Sequence, residues 1–185
     1  MEDWLTEYYE RYRVALFEIN VKPELQELKK ICLELKAKGN KLIMAGNGAS
    51  ATIASHAATD FTKQAKVRSL CFTDASLITA FGNDYGYENW VAEAIKSYYK
   101  NGDVVILISS SGSSKNIVNA AKKAKQLNLR VVTFSGFTED NPLRQIGDLN
   151  FWLPSKAYNI IENTHSIWIT TVVDMILGKA EYNVN

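Results

Sequence analysis

The chain has 185 residues, 46% of them hydrophobic, which suits one domain with a full core and no help from disulfides or metals. Lys plus Arg (21) and Asp plus Glu (20) nearly cancel to a formal charge of +1, so nothing in the composition pulls the chain toward nucleic acid or an anionic membrane, and a partner must be recognised locally. Cys32 and Cys71 lie far apart without CxxC or zinc-ribbon spacing, which fits two reduced thiols. The N-terminal MEDWLTEYYERYRV is charged throughout, and no run of about 18 uncharged apolar residues occurs, so the expected location is the cytoplasm, with no membrane span.

From Glu2 to Asn20, Trp4, Leu5, Tyr8, Tyr12, Ala15, Leu16 and Ile19 recur at three- and four-residue steps, the period of an amphipathic helix. A second helix is predicted from Pro23, a good initiator, to Lys38, where Gly39-Asn40 supplies a stop. Its apolar stripe includes Leu25, Leu28, Ile31, Cys32 and Leu35. Short uncharged apolar runs then alternate with helical stretches. The runs Leu42–Ala45, Ser69–Phe72, Val104–Ile108, Val131–Phe134 and Leu149–Leu153 suit strands buried on both faces of a parallel sheet. Helices are predicted between and after them at about 49–63, 76–81, 87–99, 114–127, 142–146 and 158–180. The alternation implies right-handed βαβ crossovers and a three-layer α/β/α sandwich around a five-stranded parallel sheet. Residues 1–185 read as a single domain, with two helices (1–39) ahead of an α/β core (40–185). The lysines of AAKKAKQLNLR read as the solvated face of a crossover helix.

In an open parallel sheet, ligands collect at the carboxyl ends of the strands. The loop after the first strand is Gly46-Asn47-Gly48-Ala49-Ser50, whose glycines permit a tight turn and close approach to a ligand at a helix N-terminus. A tight strand-to-helix turn without a ligand explains it equally well. It is not the dinucleotide fingerprint, because the third glycine is absent, so a nicotinamide-dependent oxidoreductase is poorly supported. After the third strand, Ser109-Ser110-Ser111-Gly112-Ser113-Ser114-Lys115-Asn116 stacks hydroxyl donors and free backbone N–H groups at a positive helix end, which fits a phosphate monoester. No GK[ST] element is present, so a small phosphorylated metabolite is favoured over ATP. His56 and Asp60 stand four apart on one helix, and Glu162 and His165 three apart on another. Such pairs bind a metal, hold an imidazole in one tautomer, move protons, or simply make helix-surface hydrogen bonds.

Taken together, GNGAS, SHAATDF, FTDASLITAFGNDYGYENW and ISSSGSSKN resemble the SIS (sugar isomerase) domain family, specifically its phosphoheptose isomerase branch, from about Lys41 to about Gly178. The resemblance implies a flavodoxin-like fold and a homotetramer, held partly by the N-terminal helices, with active sites at subunit interfaces. It also implies interconversion of sedoheptulose 7-phosphate and a heptose 7-phosphate. Carried onto this chain, it implies sugar or phosphate contacts from Asn47, Gly48, Ala49, Ser50, Asn83, Asp84, Ser109, Ser110, Ser111, Ser114 and Glu162.

The chemistry is a proton transfer between adjacent carbons through an enediol, which needs a base at carbon and an acid or metal at oxygen. The chain departs from the family's pattern at three points. Asp60 replaces the glutamate base, Glu162 replaces a glutamine, and Thr170, which does not titrate near neutral pH, stands where the family has its second catalytic histidine. On a helix Thr170 lies about 80° from Glu162 and His165 about 60° on the other side, so His165 would approach the site differently. The resulting expectation is Asp60, Glu162 and His165 as catalytic residues, Asp60 being the carbon base, and a zinc site of His56, Asp60, Glu162 and His165. The alternative is a non-catalytic, phosphosugar-binding regulatory or scaffold protein, favoured by Thr170 and Asp60. The aromatic first helix, and the last helix with Ile167, Trp168, Ile169, Val172, Val173 and Ile176, are too apolar for free surfaces, which also points to an oligomer.

Overall fold

The structure is a computed structural model that describes residues 2–181. In chain order its elements are α1 (Glu2–Phe17), α2 (Lys22–Lys38), β1 (Leu42–Gly46), α3 (Ala49–Lys63), β2 (Ser69–Cys71), α4 (Ala75–Tyr85), α5 (Trp90–Tyr98), β3 (Val104–Ser109), α6 (Lys115–Gln126), β4 (Arg130–Ser135), β5 (Leu149–Trp152) and α7 (Tyr158–Leu177). Local chemistry accounts for many of the boundaries. Pro23 opens α2, and Gly39, at φ 68°, ends it in the left-handed conformation that a β-carbon disfavours. Asp74 caps α4 by accepting from Leu77 N at 2.9 Å. In α6, Ile117, Ala120, Ala121 and Ala124 are buried while Lys122 and Lys125 are exposed, as the lysine-rich stretch predicts.

All five strands are parallel, in the order β2-β1-β3-β4-β5. Side chains alternate across the sheet. Leu42, Met44, Ile106, Ile108, Val132 and Phe134 join a core with buried residues of α2, α3 and α7. Ile43, Ala45, Val105, Leu107 and Val131 join a second core with α5 and α6. This is the expected three-layer sandwich.

The registers Leu42↔Val104 and Gly46↔Ile108 bring the carboxyl ends of β1 and β3 level with one another. At their amino ends the register is locked by Asp103, 2% exposed, which accepts from Lys41 N at 3.0 Å, Lys100 N at 2.8 Å and Asn40 Nδ2 at 3.2 Å and pairs with the Lys41 ammonium. Burial alone would raise its pKa, but Lys41 and these donors outweigh burial and hold the carboxyl below its ordinary value. β1 has β2 on one side and β3 on the other, so the chain winds in opposite directions from this point. The crevice at such a switch point is the default ligand site of the architecture.

Four sequence expectations change. The helix expected at 142–146 is a turn, because Asn141 Oδ1 accepts from Arg144 N at 3.0 Å and Leu143 N bonds across to Gly112 O at 2.9 Å, leaving too few residues for a helical run. The 76–81 helix is longer, extending to Tyr85 as α4, whereas the helix predicted from 87 begins only at Trp90. In α7, Trp168, Ile169, Val172 and Val173 are buried in the chain's own core, so they are not free for a partner; Ile167, 42% exposed, is.

Candidate active site

The turn after β1 brings strand and helix into close contact. A β-carbon on Gly46 would lie 2.6 Å from the Ser50 carbonyl carbon, so only glycine allows α3 to start against the strand. Gly48 then carries φ 54° immediately before the first residue of α3. Asn47 in this turn exchanges two hydrogen bonds with Asn116, in the first turn of α6, and accepts a third from Tyr87 Oη at 3.3 Å.

On the other side of the switch point, the loop from β3 to α6 is folded on itself. Gly112 N donates to Ser109 O at 2.9 Å, Ser109 Oγ to Ser114 Oγ at 3.2 Å, and Ser113 N to Ser111 Oγ at 3.2 Å. The first turn of α6 behind it leaves backbone N–H groups without intrahelical acceptors at the positive end of the helix. The segment after β4 braces this loop. Gly136 N donates to Ser110 O at 2.9 Å and Leu143 N to Gly112 O. Asn141, almost fully buried, donates to Ser135 Oγ at 3.1 Å, Gly136 O at 3.2 Å and Thr138 O at 2.9 Å.

Between the two loops is a cavity of about 150 Å³ lined by Asn47, Ser50, Ile108, Ser109, Ser110, Ser111, Ser114, Tyr158 and Glu162. Tyr158 and Glu162 belong to the first turns of α7, and Ser110 Oγ donates to Glu162 Oε1 at 3.2 Å. Glu162 is the one carboxylate among the described lining residues, and neither Lys nor Arg stands with it. Hydroxyls, amides and helix-end N–H groups are therefore the groups here able to recognise an anion, and Glu162 is the one able to handle a proton. A larger groove of about 380 Å³ between α1 and the segment joining β5 to α7 is lined by Val14, Ala15, Ile19, Leu153, Pro154 and Ile160 among others and has no comparable convergence of hydroxyls.

The structure thus brings together Asn47, Ser50, Ser109, Ser110, Ser111, Ser114 and Glu162, with Gly48 and Ala49 forming the turn beside them. The remaining expected residues lie elsewhere. Asn83 and Asp84, at the exposed end of α4, bond to each other at 2.9 Å and do not line the cavity. His56 Nε2 lies 3.0 Å from Asp60 Oδ2 on α3, the histidine exposed. Thr170 bonds back to Ser166 O at 2.8 Å within α7.

His165 is not at the site: its ring is fully buried between Phe134 and Trp168, with Nε2–H donating to Ser135 O at 3.1 Å and Nδ1 unpartnered. Burial, only partly offset by that hydrogen bond, lowers its pKa to about 4. The imidazole is therefore a neutral core group near neutral pH and not a proton carrier.

The four expected zinc ligands do not converge, and among the described residues no three His, Cys, Asp or Glu side chains are placed to hold a metal. The set does not fit zinc within one chain. Sequence reasoning missed Tyr158, Asn116 and Asn141. Asn116 ends the quoted serine motif and was the most accessible of the three, whereas Tyr158 and Asn141 reach the site only through tertiary packing.

A Ser/Gly loop and a glycine turn facing one another at the switch point of a 2-1-3-4-5 sheet set the frame for comparison with known proteins. Residues 7–136 match the family model of the SIS domain. The chain belongs to the SIS domain family. A phosphoheptose isomerase of Aliarcobacter butzleri is 34% identical over 158 residues, covering 82% of this chain and 83% of that protein. Solved phosphoheptose isomerase structures from Francisella tularensis and Neisseria gonorrhoeae match with TM-scores of 0.87 and 0.85 at 25% and 26% identity, each covering 96% of this chain and 98% of the other. Within the SIS family the chain therefore lies on the phosphoheptose isomerase branch. The two solved relatives, each covering 96% of this chain, span the β5 and α7 portion beyond residue 136 as well, the part that supplies Tyr158 and Glu162.

Proposed function

We propose that the protein is an aldose–ketose isomerase acting on a phosphorylated sugar, with sedoheptulose 7-phosphate as the first substrate to assay and a heptose 7-phosphate as product. One observation carries the reading: a single small cavity presents the serine loop and the N-terminus of α6 together with one carboxylate, Glu162. The first two recognise a phosphate monoester through hydroxyl and backbone donors. The carboxylate supplies a group able to take a proton from carbon. The names of the similar proteins, phosphoheptose isomerases, support a heptose phosphate as the substrate class.

Isomerisation needs no redox cofactor. A proton leaves the carbon beside the carbonyl, an enediol forms, and a proton returns to the neighbouring carbon. Donors already fixed in position act on the developing enediolate without reorganising, which is where such a site gains most of its rate. Ser110, held by Gly136 N at its carbonyl, gives its single O–H to Glu162 and so orients that carboxylate rather than the enediolate.

The proposal includes a homotetramer in the cytoplasm. Trp4, Tyr9 and Phe17 of α1 are exposed at 60%, 65% and 80%, apolar area that association would cover. The activity is tested by ³¹P NMR of the protein with sedoheptulose 7-phosphate and shorter ketose phosphates. A new aldose phosphate signal is expected with at least the seven-carbon substrate; shifts on binding without product would favour a phosphosugar sensor.

A further inference from the structure

Among the described residues, Lys66, Asn128 and Phe137 are the non-glycine residues with positive φ. Lys66 and Asn128 follow the ends of α3 and α6, where a left-handed residue commonly closes a helix. Phe137, at φ 57°, follows a strand, and a bulky side chain keeps that conformation only where its surroundings fix it. They do so from both sides. Phe137 N donates to Ser155 O at 2.8 Å, and Ser155 Oγ accepts from Ala157 N at 3.2 Å, immediately before α7. Gly136 gives its N–H to Ser110 O, and a β-carbon on it would lie 2.6 Å from Ile161 Cδ1. The turn after β4 is thus clamped between the serine loop and the first turn of α7.

The ring that this turn delivers packs on Tyr158, with centroids 5.2 Å apart and planes inclined at 60°. Tyr158 and Glu162 stand four apart on α7, hence on one helix face, and both line the cavity. Tyr158 is the one aromatic among the described lining residues, and its Oη has no hydrogen-bond partner among the described residues.

The cavity, at about 150 Å³, is smaller than the roughly 300–1,000 Å³ of pockets that enclose a whole small ligand. With a phosphate held at the serine loop and α6, the carbons beyond it must leave across the wall that Tyr158 forms. An aromatic ring offers such a chain an apolar face and, in tyrosine, a hydroxyl for one of its hydroxyls. We propose, resting on the reading of this pocket as a phosphosugar site, that Tyr158 determines its specificity. The ring grips the carbons beyond the phosphate and favours a long phosphosugar over a short one, and Phe137 positions it. The contacts that place the ring lie within one chain, so assembly adds lining to the pocket without taking this wall away.

The test is calorimetric affinity for inorganic phosphate, ribulose 5-phosphate and sedoheptulose 7-phosphate in the unaltered protein, Tyr158→Phe, Tyr158→Ala and Phe137→Leu. A melting curve is taken for each, and aldose formation is followed by ³¹P NMR. Tyr158 is 57% exposed in the chain, so its truncation leaves the core closed. The unaltered protein should prefer the seven-carbon to the five-carbon sugar phosphate by about tenfold or more. Tyr158→Ala should erase that preference while holding inorganic phosphate within about twofold of the unaltered affinity. Tyr158→Phe, which keeps the ring, and Phe137→Leu, which removes its support, should each lose part of the preference. An unchanged preference in Tyr158→Ala, or equal weakening of all three probes, would overturn the assignment while leaving the phosphosugar reading intact. Failure of the unaltered protein to bind either sugar phosphate would overturn both. The expected affinities without any aldose would support Tyr158 and count against isomerisation alone.

Discussion

Asn47 and Asn116 hold each other through two side-chain hydrogen bonds, Asn47 Nδ2 to Asn116 Oδ1 at 2.9 Å and Asn116 Nδ2 to Asn47 Oδ1 at 2.8 Å. The turn after β1 and the helix after β3 are thereby fixed to one another on either side of the switch point. Asn116 is almost fully buried, so removing it strands a polar partner. Asn116→Ala should lower stability by about 1–3 kcal/mol in urea unfolding. It should also weaken sugar-phosphate binding about tenfold by calorimetry, equivalent to about 1.4 kcal/mol. Unchanged affinity would mean that the two loops hold their places without this link.

Gly112 is a second fixed point. Its φ is 66°, and a β-carbon there would lie 1.9 Å from Asn141 Oδ1. Gly112→Ala is therefore expected to combine left-handed backbone strain of about 1–3 kcal/mol with a collision against a buried, multiply bonded side chain. The unfolding midpoint should drop sharply and phosphate affinity with it. Full stability in Gly112→Ala would contradict the geometry of the loop.

His165 sets a pH dependence on stability. Its folded pKa is about 4 against an ordinary 6.5, so the unfolded chain binds the proton more readily. Its contribution is complete above about pH 6.5 and is lost as pH falls from there toward 4, by roughly 3 kcal/mol in all at about 1.4 kcal/mol per pKa unit. Urea unfolding at pH 7.5, 6, 5 and 4 should reveal this decline, and His165→Gln should flatten it in that window. An equal slope for both proteins would show that the buried imidazole is not the titrating group.

The exposed aromatic residues of α1 lead to an expectation about assembly. Trp4 stacks on Tyr8 with ring centroids 5.0 Å apart, and Phe17 stands alone at the helix end. Light scattering at micromolar concentration should give the mass of four chains, and Trp4→Ser combined with Phe17→Ser should reduce it. A monomeric mass for the unaltered protein would remove the tetramer from the account.

The layers were legible in the sequence because their signals are local. The runs at Leu42, Val104 and Val131 are continuously apolar, and the structure buries both faces of those strands. The Ser/Gly loop and the GNGAS turn were legible for a similar reason: a glycine at a strand end and hydroxyls at a helix start are chemistry written in consecutive residues. Distances between elements are not written that way. Glu162 and His165 share a helix face by spacing, yet one lines a cavity and the other is enclosed by Phe134 and Trp168, because α7 is covered over most of its length. Nor does spacing reveal that, within one chain, α3 carries Asp60 away from the pocket in which the helix begins. The turn at 142–146 is held by a tertiary contact to Gly112 that its local sequence does not carry.

The most direct measurement of the central claim compares sedoheptulose 7-phosphate with unphosphorylated sedoheptulose as substrates of the same protein, with the aldose product followed by NMR. We expect an aldose heptose 7-phosphate to accumulate from the first and no product from the second, because the serine loop and the α6 N-terminus hold the sugar by its phosphate. Tight binding of the phosphorylated sugar with no aldose formed at any protein concentration would contradict the isomerase and leave a phosphosugar-binding protein in its place.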